Sequence, residues 1–261
     1  MKFALDELSK RRLVGSSGEN YILFAPAMDL LALKHYADED HAVSLGKLIA
    51  KGKESDVYEV LSADSQLYAL KFFRLGRTSF RDVRRKRATG RSEANTWVST
   101  NYNAARHEFA ALERLATVTP NVPRSIDFDR HTVLLQELPG VRLANRPELR
   151  DPSHLLRLVL ETVRDVYVKA KMINGDLSEY NILTDGERVW LIDWPQWVGL
   201  KHPNVQELLR HDVETVLRFF SRAYGVQKEP ESAIRFVKNS GEGSRPKRAR
   251  SSPRGSAVLP S

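Results

Sequence analysis

Three polar residues at fixed spacing restrict this chain more than any other feature. In the stretch NGDLSEYNIL, Asp176 is followed five residues later by Asn181, and Asp193 stands twelve residues further on, in WLIDWPQ. The spacing puts Asp176 in a loop after a long helical segment and Asp193 at the end of an apolar strand. Any one of the three is an ordinary turn former, because Asp and Asn side chains bond readily to nearby backbone. Together they supply what phosphoryl transfer from ATP requires. One carboxylate orients or deprotonates the acceptor, and further oxygen ligands hold Mg2+ (or Mn2+) on the phosphates.

That chemistry makes demands upstream, on a pattern common to kinases. It needs a lysine on a strand, a carboxylate on the following helix and a turn that covers phosphate. Lys71 sits in LYALKFFR, flanked by Ala69, Leu70, Phe72 and Phe73, where its stem would be buried. Glu108 in RHEFAALERL can partner it, with Glu113 as the other candidate. The turn would be KGKESDVY. It has a single glycine, so Lys53, Ser55 and backbone N–H groups would have to contact the phosphates.

The pattern of elements predicts an α+β chain. Strands are expected over 43–49, 57–61, 67–73 and 132–138, and helices over 103–115, 155–171 and 211–224. A hairpin is expected where Asp185-Gly186 joins 182–183 to 189–192. Strands first and helices later indicate two lobes. The first forty residues read as helix (5–14), strand (21–24) and helix (27–36), the latter part of a winged helix-turn-helix. The division expected is a partial winged helix and linker helix over 1–40 and a catalytic domain over 41–228. Its N-lobe would be 41–138 and its C-lobe 139–228, with a basic disordered tail over 229–261.

Composition then bounds the partners. The chain carries a net charge of +8, concentrated in two places: eight Arg or Lys against Asp82 between Arg74 and Arg91, and five against Glu242 from Asn239 onward. Such clusters point to a polyanion, nucleic acid above all. With no cysteine, disulfides, thiolate catalysis and cysteine-bound zinc are excluded, and a reducing cytoplasm is expected. No apolar run approaches the roughly 18 residues that would suggest a membrane span.

GKESDVYEV, YALKFFRLGRTSFRDV, GDLSEYNIL and IDWPQWV together resemble the RIO family of atypical protein kinases over roughly residues 28 to 225. RLGRTSFR and Asp-Trp-Pro-Gln resemble its second subgroup, which carries an N-terminal winged helix. The resemblance implies a bilobal, protein-kinase-like fold and a serine/threonine kinase or ATPase. Asp176 would be catalytic, Asn181 and Asp193 would bind metal, and Asp193 could become a phosphoaspartate. Adenine would lie at the hinge near Glu137 and Leu138. It also implies a role in maturation of the small ribosomal subunit, with the pre-ribosomal subunit or its RNA as partner. A protein substrate or autophosphorylation is implied as well, with Ser79, Ser92 and Ser99 as candidate sites. The family's usual histidine before Gly-Asp is Asn174 here. Two other readings compete: a small-molecule, antibiotic-type phosphotransferase, which shares the Asp, Asn and Asp constellation but is opposed by RLGRTSFR, the basic loop and the winged-helix remnant, and an RNA-binding scaffold with a vestigial kinase domain, which the intact Lys71, Asp176, Asn181 and Asp193 oppose.

Overall fold

The computed structural model describes residues 2–17, 20–76 and 90–239. The chain opens with helix α1 (Lys2–Lys10), a hairpin of β1 (Val14–Ser17) and β2 (Asn20–Leu23), and helix α2 (Ala25–Asp38). Val14 therefore starts a strand rather than ending a helix. Its register partner is Leu23, and the Phe24 amide donates to the Leu13 carbonyl. Pro26 suits the first turn of α2, where its missing N–H costs nothing.

Five antiparallel strands follow in the order β3-β4-β5-β7-β6: Ser44–Lys51, Ser55–Leu61, Leu67–Phe73, Thr132–Gln136 and Ser125–Asp129 in that spatial order. Successive side chains of a strand face opposite ways. Leu70 and Phe72 of β5 accordingly join Val60, Leu134, Ala32 and Tyr36 in one core, between the sheet and α2. Phe73 and Ala69 face the other way, toward Ala105 and Leu112 of helix α3 (Gly90–Ala116). The sheet is thus sandwiched between α2 and α3. Tyr36 bonds Thr132 Oγ1 at 2.8 Å, and Arg74 forks onto Asp29 at 2.7 and 2.9 Å. The expected boundary at residue 40 runs through this shared core, so α2 packs as part of the N-lobe.

The C-lobe is built on helices α4 (Pro152–Asp165), α5 (Val205–Tyr224) and α6 (Pro230–Lys238). A wide π turn at Val166–Ala170 closes α4, and Lys171 in the left-handed region ends it. Short strands carry the loops: β8 (Val141–Arg142), β10 (Ile182–Thr184) and β11 (Val189–Leu191) form one sheet, while β9 (Met172–Ile173) pairs with β12 (Val198–Gly199). A four-residue turn, Asp185 to Arg188, joins β10 to β11, with Thr184 opposite Val189.

Helix α6 corrects the expected tail. Pro230 stands in its first turn, and the Glu229 carboxylate accepts the amides of Glu231 and Ser232. Ala233, Ile234 and Val237 are buried in the main core. The segment after 228 therefore begins as structure, and the ordered domain runs at least to Lys238. The rest of the predicted tail (240–261), most of the predicted basic loop (77–89, including Ser79) and the Ser92 side chain lie outside the described residues.

Candidate active site

Alternation along β5 turns Lys71 to the α3 face of the sheet, together with Ala69 and Phe73. There its Nζ lies 2.5 Å from Glu108 Oε2 and 2.8 Å from Asp193 Oδ1. Lys71 is 5% exposed and Glu108 1%. Charges this deep are costly unless paired and hydrogen-bonded. The Trp194 amide adds a bond to Glu108 Oε1 at 3.4 Å. Burial alone would lower the ammonium's pKa, but the charges of Asp193 and Glu108 outweigh it and push it up to about 12. Burial raises the Glu108 carboxyl, and the adjoining ammonium offsets part of that rise. Glu113 is exposed and makes no ion pair with Lys71 among the described residues.

The loop bearing Asp176 is held by backbone bonds from three directions. Gly175 has φ +82°, and a Cβ there would sit 3.1 Å from the Gln196 carbonyl oxygen, so the position demands glycine. Buried Asn174 donates from Nδ2 to the Asp193 carbonyl at 3.0 Å and accepts the Asp176 amide at 3.1 Å. One side chain thus ties both aspartates together. Asn181 Nδ2 donates to the Asp176 carbonyl at 2.9 Å, and the Ile192 amide donates to the Asn181 carbonyl at 2.9 Å. From below, Asp212 of α5 accepts the amides of Gly175 (2.8 Å) and Leu177 (2.9 Å). Asp212 is 1% exposed, and burial lifts its pKa to about 6 against the pull of those two bonds. Asp176 itself stays exposed; burial, then the charge of Asp193, raises its pKa. Asp193 has φ +66°, a left-handed conformation that aspartate tolerates better than most residues.

A cavity of about 490 Å³ opens between the lobes. Ala50, Val57, Ala69, Leu135 and Ile192 give it apolar walls, and Glu137 and Leu138 border it where the lobes join. Lys71, Glu108, Asp193 and Ser55 also line it. Lys53 does not: it lies exposed in the turn, and Lys51 lines the cavity instead. Asp176 and Asn181 are outside the lining, in the adjoining loop. The donor set suits a nucleotide with its magnesium. Apolar walls can take a flat ring, and Lys71 offers a cation beside a carboxylate. Among the described residues no cluster of three or more His, Cys, Asp or Glu forms a metal cage. Magnesium bound through phosphates needs only one or two protein carboxylates; Asp193 would supply one, and the amide oxygen of Asn181 would be a neutral ligand beside it.

The family model of the RIO domain matches residues 56–233. This chain belongs to the RIO domain family. It is 34% identical over 237 residues to the serine/threonine-protein kinase RIO2 of Caenorhabditis elegans, covering 86% of this chain and 44% of that protein. The RIO-type serine/threonine-protein kinase Rio2 of Methanocaldococcus jannaschii is 32% identical over 240 residues, covering 88% and 86%. The Rio2 kinase of Chaetomium thermophilum, solved as an ADP/Mg2+-phosphoaspartate complex, superimposes with a TM-score of 0.78 at 28% identity, covering 93% of this chain and 76% of that one. The chain spans less than two thirds of the length of the first curated relatives: 44% of the C. elegans protein and 61% of its Schizosaccharomyces pombe counterpart.

Within this RIO domain, two features of the site were not read from sequence. Asp212 is one; on α5 it reads as one more polar residue of an amphipathic helix. The other is a strap between α3 and the segment after Asp193. The rings of His107 and Trp197 stack 4.5 Å apart at 10°. Trp197 Nε1 donates to the His107 carbonyl at 3.0 Å, and the His107 ring Nδ1 lies 3.0 Å from the Pro195 carbonyl. The strap holds the helix that carries Glu108 against the segment that carries Asp193. The Asp-Trp-Pro-Gln-Trp run stands out in the sequence; its partner His107, the residue just before Glu108, is visible only in the fold.

Proposed function

We propose that this RIO domain is a Mg2+-dependent, ATP-consuming phosphotransferase, a serine/threonine kinase or ATPase, acting in maturation of the small ribosomal subunit. One observation carries the enzymatic part: a buried lysine bridges Glu108 and Asp193 in the wall of a nucleotide-sized cavity, with Asp176 in the next loop. Bound ATP would supply the phosphoryl group, and Mg2+ would neutralise charge on its phosphates. Lys71 would orient the phosphates, held in place by Glu108. Asn181 and Asp193 would hold the metal. Asp176 would orient the attacking hydroxyl or water and take its proton. Its raised pKa makes it a better acceptor than an ordinary carboxylate. Ser55 and the hinge residues Glu137 and Leu138 would contact the nucleotide.

The two aspartates should separate by experiment. Asp176→Ala should lower turnover by about 100-fold or more while Mg-ATP still binds, because the group acts in the transition state. Asp193→Ala should weaken magnesium-dependent nucleotide binding as well. If Asp193→Ala binds Mg-ATP normally and turns it over at the wild-type rate, the assignment is wrong. A hydroxylamine-labile label on wild-type protein would mark Asp193 as a phosphoryl acceptor; a label stable to hydroxylamine would remove that step alone.

The ribosomal part rests on the net charge of +8 and on the helix-hairpin-helix before the catalytic lobes, read as a partial winged helix. Lys10, Arg11 and Arg12 would contact RNA phosphate, although Lys10 and Arg11 now share Glu7. Binding to ribosomal RNA should weaken with salt, with a log-log slope of roughly −0.7 to −0.9 per phosphate contact. A salt-independent affinity would remove this part.

A further inference from the structure

A separate recess of about 360 Å³ lies on the C-lobe beside the loop of Asp176. Arg218 and Arg222 enter it from α5 with Thr215, at the three- and four-residue spacings that share a helix face. Arg146 enters from the other side, just after the turn Leu143–Asn145, in the left-handed conformation (φ +52°). The Tyr224 hydroxyl donates to the Pro147 carbonyl at 3.0 Å and so fastens this segment to α5. Glu179 and Tyr180, three and four residues after Asp176, complete the wall. Tyr180 is 60% exposed.

The charges in this recess are not balanced from within. Among the described residues, none of the three guanidinium groups has a carboxylate partner, and Arg218 bonds only Thr215 Oγ1, at 3.1 Å. Three like charges gathered in one concavity repel each other, with one glutamate on the wall. An entering anion would relieve that repulsion, and the guanidinium fork matches carboxylate and phosphate oxygens.

We propose that this recess docks an anionic side chain, glutamate or phosphoserine, of the peptide whose hydroxyl reaches Asp176. The proposal rests on the phosphotransferase reading and deepens it to substrate choice. The site is a point, not a track. The next arginine along the chain, Arg150, pairs with Glu187, and Arg188 on the adjoining hairpin pairs with Asp185. A nucleic acid backbone gains affinity by neutralising a row of phosphates, and these neighbouring arginines are already paired. A peptide needs to bring only one anion. At roughly 3.3 Å per extended residue, a few residues carry it from the catalytic loop to the recess.

The test uses the full chain with Mg2+ and a non-hydrolysable ATP analogue. Fluorescein-labelled serine peptides differ only in carrying Ala, Glu or phosphoserine at one position, scanned along both sides of the serine. Anisotropy reads their affinity, and a labelled 12-nucleotide RNA is titrated in parallel. At one offset the anionic peptides should bind about tenfold or more tightly than the Ala peptide, and the Arg218→Gln/Arg222→Gln variant should lose that preference. Both arginines are exposed, so the variant should fold, which its melting temperature checks. Glu and phosphoserine at the same offset show which anion is preferred. A wild type with no preference at any offset, or a variant that keeps it, overturns the proposal. So does a variant that loses RNA affinity while its peptide affinities stand, because the recess is then a nucleic acid site. Failure of wild type to bind the analogue counts against the phosphotransferase reading and the docking together; analogue binding without peptide preference counts against the docking alone.

Discussion

Replacing Asp212 by Asn should remove a loss of stability that wild type suffers as pH rises, and yet slow turnover. Asp212 is buried on α5 and accepts the amides of Gly175 and Leu177, the residues on either side of Asp176. Its ordinary pKa of 3.8 is raised to about 6 in the fold, because burial outweighs the two backbone bonds. The folded protein therefore holds this proton more tightly than the unfolded chain does. The protonated group's contribution to stability is complete below about pH 4 and is lost as pH rises through about 6. From 3.8 to about 6, at roughly 1.4 kcal/mol per pKa unit, wild type should lose on the order of 3 kcal/mol. Asn has the shape but no such titration. Urea unfolding from pH 4 to 7 should show wild type losing about that much relative to Asp212→Asn. The catalytic cost runs the other way. An amide can accept only one of the two N–H groups well, and the other loses a bond worth about 1–3 kcal/mol in a buried site. If that loss falls on the ordering of the Asp176 loop, turnover should drop roughly 10- to 100-fold. A flat stability difference across pH 4 to 7 would mean that Asp212 is not buried as an ionised carboxylate. Full turnover in the variant would mean that the two bonds do not position Asp176.

Two further substitutions probe the lysine and the strap. Lys71→Met should leave the Glu108 carboxyl buried without its cation and cost about 3–5 kcal/mol in urea unfolding. Lys71→Met/Glu108→Leu should recover much of that loss, because removing both charges is far cheaper than removing one. A double variant no more stable than the single would refute the pairing. Trp197→Ala removes the ring stacked on His107 and the N–H bond to the His107 carbonyl, so ATP turnover should fall by more than the change in stability explains. Trp197→Phe, which keeps a ring but not the bond, should fall between the two, and an Ala variant with normal turnover would detach the strap from catalysis.

Local patterning made parts of this molecule readable and long-range geometry hid the rest. Strand Leu67–Phe73 was read to its residue limits, because a run of apolar residues interrupted by one lysine is hard to satisfy in any other way. The hairpin was equally plain, since Asp185-Gly186 leaves the chain little choice. Strand Ser125–Asp129 went unread. Its sequence SIDFD looks like a loop, and it becomes a strand only because Thr132–Gln136 offers it partners. Helix α3 begins near Gly90, before the apolar periodicity that marks it from about 103. The segment expected as one helix from 155 to 171 breaks into an α-helix and a π turn, because the chain must reach β9 and the loop of Asp176 from there.

The site divides along the same line. Asp176, Asn181, Asp193 and Lys71 can be picked out as candidates from the sequence because chemistry dictates their type and the chain dictates their spacing. The groups that aim them were not, since a positioning residue need only be the right distance away in space. Asp212 follows Asp176 by 36 positions in the sequence and is joined to its loop by two backbone bonds. Asn174 stands where the resemblance to the family leads one to expect a histidine. Its geometry gives that departure a meaning: an amide offers a donor to the Asp193 carbonyl and an acceptor to the Asp176 amide at once, with no dependence on protonation. A neutral imidazole could also offer one donor and one acceptor, but from two ring nitrogens and only while uncharged. Asn174 therefore ties the two aspartate segments together without placing a titratable group between them.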